Sequence, residues 1–152
     1  METRYPEGVA EFSSMAEMME SAAREAVRTA RAAYGFALDF QEGSLQALET
    51  ILANEAANLD PSATEAIERA VKMWGAYLGQ TVRVAFGGEW DLVTYPGKAL
   101  SLPALTVRGS QLFPLLKVYR RITLGEPENV WTYYQAIRSR LAAVPSEGQP
   151  SA

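Results

Sequence analysis

The chain has neither histidine nor cysteine, so any chemistry rests on carboxylates, amines, guanidiniums, hydroxyls and phenols. Without histidine there is no Ser-His-Asp or Cys-His arrangement, no imidazole metal ligand and no ordinary proton shuttle near neutrality. Without cysteine there is no disulfide, thiolate nucleophile, iron–sulfur cluster or cysteine-ligated zinc. Paired carboxylates are the remaining acid–base route. Glu89 and Asp91, two apart in a strand-like stretch, share a face there. Nothing else in the sequence places a pocket around them, and a solvated strand face explains them as well. Asp39 and Glu42 form a weaker pair. No catalytic residue, metal ligand or cofactor is assigned.

Binding chemistry is better represented. Lys117, Arg120 and Arg121 cluster around Tyr119. They suit an anion or an acidic partner, and they equally suit the carbonyl end of a short helix, where cations complement the dipole. Arg24, Arg28 and Arg31 recur at i, i+4 and i+7, but Glu20 and Glu25 beside them make a solvated salt-bridge surface the better reading. Among the aromatics, Trp74 and Tyr134 fall on apolar stripes and read as core. Tyr77, Tyr95, Trp131 and Tyr133 fall off those stripes and are the candidates for an exposed contact surface. The candidate binding residues are therefore these four aromatics together with Arg83, Glu89, Asp91, Lys117, Arg120 and Arg121.

Two glycine patterns invite function. Gly75 and Gly79 stand four apart in a helical stretch, a spacing that permits either a helix–helix dimer contact or close packing against the chain's own elements. The dimer meaning belongs to apolar membrane spans, so packing is favoured. Gly87-Gly88 resembles a phosphate loop in composition but not in order. Phosphate loops lead from a strand into a helix N-terminus, whereas here a helix runs into a strand.

The elements that must position these residues follow from periodicity. Residues 12–34 are rich in helix formers, with Ser14 and Glu17 at capping-box spacing and Gly35 as the stop. Phe36, Leu38 and Phe40 alternate as in a short strand or extended segment. A second helix opens at Gly43-Ser44, with Leu45, Leu48, Ile51, Leu52 and Leu59 inward. The third, opened by an Asp60 cap with Pro61 or by a Ser62–Glu65 capping box and running to Phe86, carries Ile67, Val71, Trp74, Leu78, Val82 and Ala85. Residues 89–95 read as a strand, Pro96-Gly97 as a turn, and residues 98–108 as one or two further strands, with Pro103 marking an edge or bulge. Pro114 opens a short fourth helix that ends at Gly125. A fifth is expected from Pro127 with Val130, Tyr134, Ile137 and Leu141 inward.

The expected fold is α+β, with about five helices packed around a small antiparallel sheet or hairpin. One domain is expected over residues 12–143, with a flexible lead-in at 1–11 and a disordered tail at 144–152. At 48% hydrophobic and 21% charged the composition is that of an ordinary globular protein. The net charge of −4 opposes a nucleic-acid or anionic-membrane partner. No signal peptide and no bilayer-length apolar run are seen, so a cytoplasmic location is expected.

Three passages act together: Leu38-Asp39-Phe40 leading to Ser44-Leu45; Gly75-Ala76-Tyr77-Leu78-Gly79 with Gly87-Gly88-Glu89-Trp90; and Phe113-Pro114 with Lys117-Val118-Tyr119-Arg120-Arg121. They resemble a loose group of small bacterial domains of unknown function. In that group a glycine-containing helix precedes a Gly-Gly-x-Trp strand, and a Pro-x-x-Lys-Val-x-Lys/Arg-Arg helix follows a hairpin. The resemblance implies the α+β fold and an interaction role by default, and brings no catalytic residues. The resulting expectation is a non-enzymatic protein-binding module, of an immunity or regulatory type, with an unidentified protein partner. The rivals are a homodimer built on the aromatic surface and a small-ligand-binding domain or enzyme using Glu89, Asp91, Arg83 or Lys117.

Overall fold

The computed structural model describes residues 14–94, 97 and 100–144. The expected lead-in and nearly all of the expected tail fall outside that range, as do Tyr95 and most of the expected turn at Pro96-Gly97. Helix α1, Met15–Thr29, begins where Ser14 accepts the Glu17 N–H at 3.1 Å. It continues through one π turn, Ala30–Tyr34, and stops at Gly35 with φ 72°. Its buried side chains are Met19, Ala23, Ala26 and Ala30, mostly small, so α1 lies close against the core.

The stretch at Phe36, Leu38 and Phe40 joins no strand, and the strand reading is corrected to an extended connector. Its alternation is satisfied by packing into a helical core rather than by a ladder. Leu38 is buried, and Phe40 takes φ 63° so that its N–H donates to the Tyr77 hydroxyl at 2.7 Å. Helix α2, Ser44–Asn58, buries Leu45, Leu48, Ile51 and Leu52.

Helix α3, Thr64–Phe86, starts later than the sequence suggests. Asp60 makes an Asx turn instead, accepting from both the N–H and the hydroxyl of Ser62 at 2.9 Å. From Trp74 to Leu78 every residue of α3 is buried, so it is a central helix rather than a one-sided one. Val71 is only half-buried and Ala85 is exposed.

The sheet is three-stranded and antiparallel in the order β1-β2-β3, with β1 at Glu89–Thr94, β2 at Ser101–Val107 and β3 at Ser110–Leu112. Trp90 pairs with Leu105 and Leu105 with Leu112, so one buried cross-strand row faces the helices. β2 and β3 join through Arg108 and Gly109, both at positive φ (50° and 82°), as a two-residue hairpin requires. Pro103 of β2 pairs with Leu92 of β1 at a point that β3 does not reach, so the central strand is locally an edge.

Helix α4, Pro114–Leu124, ends at Gly125. A 3₁₀ turn, Glu126–Glu128, follows. Helix α5, Val130–Ala142, then starts under an Asn129 cap rather than at Pro127, and buries Val130, Tyr134, Ile137 and Leu141 as expected. The described residues form an α+β fold of five α-helices on a small antiparallel sheet.

The glycines of α3 explain its position. A Cβ on Gly75 would stand 2.7 Å from the Leu115 Cα of α4, and one on Gly79 would overlap the Trp90 indole of β1. Both faces are therefore used within the chain. Gly79→Ala gains about 1 kcal/mol of helix propensity. The collision outweighs that gain, and a net loss of about 1–3 kcal/mol is expected in urea unfolding. Gly43→Ala, with φ −60° and no atom within 4 Å of a new Cβ, is the matched control and should stay within about 0.5 kcal/mol of the parent.

Candidate functional site

The structure divides the sequence candidates among four places. Tyr77 is fully buried, and its reading as an exposed contact is corrected. Its hydroxyl lies 2.6 Å from Ser44 Oγ and accepts from the Phe40 N–H, with the Phe40 ring 4.8 Å away. It joins α3, the connector and the start of α2, and burial pushes its phenol above the ordinary range.

Arg83 closes the junction between α3 and β1. Its Nε donates to Gly88 O at 3.0 Å and its Nη1 to Gln80 Oε1 at 3.2 Å, while Glu20 of α1 lies 3.7 Å away. The same Gln80 oxygen accepts from the Trp90 indole at 2.7 Å. Glu89 and Asp91 are exposed on the edge strand β1, with Asp91 accepting the Leu92 N–H at 2.8 Å. Lys117 lies with α4 against β3, the opposite edge strand, so the four residues of the enzyme reading are not brought into one pocket.

Arg121 is also removed from the surface. It is 4% exposed, and its Nε and Nη2 both lie 2.8 Å from Glu49 Oε2 of α2. The other carboxylate oxygen of Glu49 accepts the Val130 N–H at 2.9 Å, capping the first turn of α5. This buried pair ties α2, α4 and α5 together. The expectation that Arg121 binds a partner is replaced by a structural role. Trp131 is half-buried and stacks on Tyr134, with ring centroids 6.2 Å apart.

What does converge is Lys117, Arg120 and Tyr133. With Arg140 from α5, Gln111 from β3, and Phe113 and Leu116, they line a cleft of about 180 Å³. Lys117 and Arg120 stand one turn apart on α4, and Tyr133 and Arg140 two turns apart on α5, so both helices present cations to one space. Lys117 Nζ lies 5.0 Å above the Tyr133 ring and donates to Glu128 Oε1 at 2.8 Å. Burial pushes the Tyr133 phenol up to about 12, against the downward pull of Arg140 and Arg120. The hydrogen bond from Lys117 holds the Glu128 carboxyl below its ordinary range, aided by the charges of Lys117 and Arg120.

The sequence reading passed over Arg140, Gln111 and Glu128, and singled out Phe113 only for its place before Pro114. Arg140 was legible as two turns beyond Tyr133 on one helical face. Gln111 was hidden because a three-residue strand leaves no periodic trace. Among the described residues no group of three or more metal-ligating side chains is gathered, and no helix is long and apolar enough to cross a membrane. No protein-family model, curated protein or solved structure matches the chain.

Two outcomes test this geometry. Glu49→Leu strands the Arg121 charge and should cost about 3–5 kcal/mol in urea unfolding, with the double variant Glu49→Leu/Arg121→Met recovering part of it. A loss no larger than that of a surface substitution would rule out the buried lock. For Glu128, a depressed folded value means that its stabilising effect is present above the unfolded value and is lost as pH falls through the folded one. A carboxyl-detected NMR titration should place Glu128 below 4.5, and Lys117→Met should move it upward.

Proposed function

We propose that this chain is a non-enzymatic, cytoplasmic protein-binding module of an immunity or regulatory type, and that it docks an acidic segment of its partner in the α4–α5 cleft. The single observation that carries this reading is the cleft itself. Lys117, Arg120 and Arg140 surround Tyr133 in about 180 Å³. Sites for whole small molecules enclose roughly 300–1,000 Å³. The cleft has room for one acidic side chain rather than for a metabolite. Its cations also stand out against a chain of net charge −4. Complementary charge of this kind favours encounter rate and choice of partner more than raw affinity. Half-buried Phe113 and Leu116 supply apolar walls against which a peptide can desolvate.

The alternative of a carboxylate-dependent enzyme finds less support, because Glu89 and Asp91 lie on the far edge of the sheet from these cations. The homodimer alternative loses Tyr77 and the Gly75–Gly79 face to internal packing.

The test uses a glutamate-rich peptide and, separately, inorganic phosphate, followed by amide chemical shifts of the full chain. The peptide should shift signals from α4, β3 and α5, and its binding should weaken with salt. The reversal Arg120→Glu/Arg140→Glu should reduce affinity by about tenfold or more, as expected for complementary charges at close range. Peptide binding that is unchanged by the reversal would overturn the proposal. Saturation by phosphate alone, with no gain from the peptide, would favour a small-anion site instead.

A further inference from the structure

A second surface, distant in chemistry from the cleft, is formed by α1 and α3. Early α1 meets late α3 through Glu20 and Arg83, so the two helices run antiparallel and leave an open trough of about 470 Å³ between them. From α1 the trough takes Met18, Ser21, Ala22, Glu25 and Thr29, positions i, i+3, i+4, i+7 and i+11 of one face. That face is about 16 Å long at the α-helical rise, or three turns. Ser21 and Ala22 at its centre keep the floor low enough for another backbone to come near. Met18 of α1 and Met73 of α3 both line the trough, and unbranched thioethers adapt to apolar surfaces of differing shape.

The two walls differ in charge. Glu25 on the α1 side is held by Arg28 at 2.6 Å. Arg69 and Lys72 on the α3 side are in no ion pair with another described residue. A trough three turns long, with apolar contacts at Met18, Ala22 and Met73 and with two cations that form no ion pair among the described residues, is complementary to one kind of ligand: an amphipathic helix whose apolar stripe is flanked by acidic residues.

We infer that the α1–α3 trough receives a three-turn amphipathic helix of a partner protein, its apolar stripe seated on Met18, Ala22 and Met73 and its acidic flank facing Arg69 and Lys72. The site is independent of the α4–α5 cleft and stands or falls separately from it.

Two synthetic helical peptides test it. They carry the same leucine stripe at i, i+3, i+4 and i+7, one flanked by glutamates and the other by lysines. Fluorescence anisotropy against the full chain should show the glutamate peptide binding about tenfold tighter or more, the scale of complementary charges at an interface. In Arg69→Glu/Lys72→Glu, an exposed-wall variant, the order should reverse. Ala22→Arg should block both peptides while the far-ultraviolet circular dichroism stays unchanged. Arg120→Glu/Arg140→Glu, at the other surface, should leave the preference intact.

Equal binding of both peptides, or a preference unmoved by the wall variant, overturns the inference. So does a concentration-dependent dimer abolished by Ala22→Arg, which would make a second copy the occupant. Binding that emerges only after deletion of residues 1–13 would assign the trough to that segment and overturn it likewise.

Discussion

At Gly75 and Gly79, α3 offers its neighbours bare backbone, and this lets Leu115 of α4 and the Trp90 indole of β1 come nearer than any side chain there would permit. The closeness has consequences on every side. With Trp90 seated on α3, the Trp90–Leu105–Leu112 row closes one face of the sheet over the helices. With Leu115 seated on it, α4 is fixed at a depth where Val118 and Ile122 are buried and Lys117 and Arg120 are not. Packing at interior density leaves little slack for such an arrangement to shift. The position of the cationic cleft is therefore set by glycines that do not touch it.

Apolar packing fixes distances, and a few polar side chains fix orientation. Each serves two elements at once. Glu49 holds Arg121 of α4 and the first amide of α5. Glu55 of α2 accepts from the Tyr34 hydroxyl at 2.8 Å and the Trp74 indole at 3.0 Å, linking the end of α1 to α3. The Tyr77 hydroxyl gathers the connector and the start of α2. Buried polar groups carry a desolvation penalty unless they are satisfied, so each bridge disfavours arrangements in which its helices slide or rotate. The carboxylates of α2 thus serve as bridges between elements.

The sequence showed the elements more clearly than the faces they use. Helical stripes, the Gly35 and Gly125 stops, and the Pro114 start were all readable because periodicity, positive-φ glycine stops and proline's fixed φ are local effects. Tyr77 was misread for a reason that generalises. An off-stripe residue is exposed only if its helix has one buried side, and α3 is buried around most of its circumference from Trp74 to Leu78. The Phe36–Leu38–Phe40 alternation was misassigned because a period of two also fits a connector lying on a core. β3 was invisible, since three residues and a hairpin turn opened by Arg108 at φ 50° carry no propensity signal. Of the candidate site, Lys117, Arg120 and Tyr133 were legible singly. Their convergence was not, because it depends on how α4 and α5 are locked by a glutamate far away in the chain.

Arg120 and Arg121 show how finely that lock divides the chemistry. They are adjacent in sequence and of one type, yet a helical step of about 100° places them in different physical settings. Arg121 turns inward, gives up its water, and is compensated by Glu49. Arg120 turns outward to the cleft with Arg140. The first guanidinium is committed to holding α4 against α2 and α5. The second points into the cleft because the first has already fixed its direction. A side chain on a helix locked in this way loses less freedom on binding than one on a loop, so more of its interaction energy is left for the partner. The geometry of the cleft is accordingly maintained from inside the core.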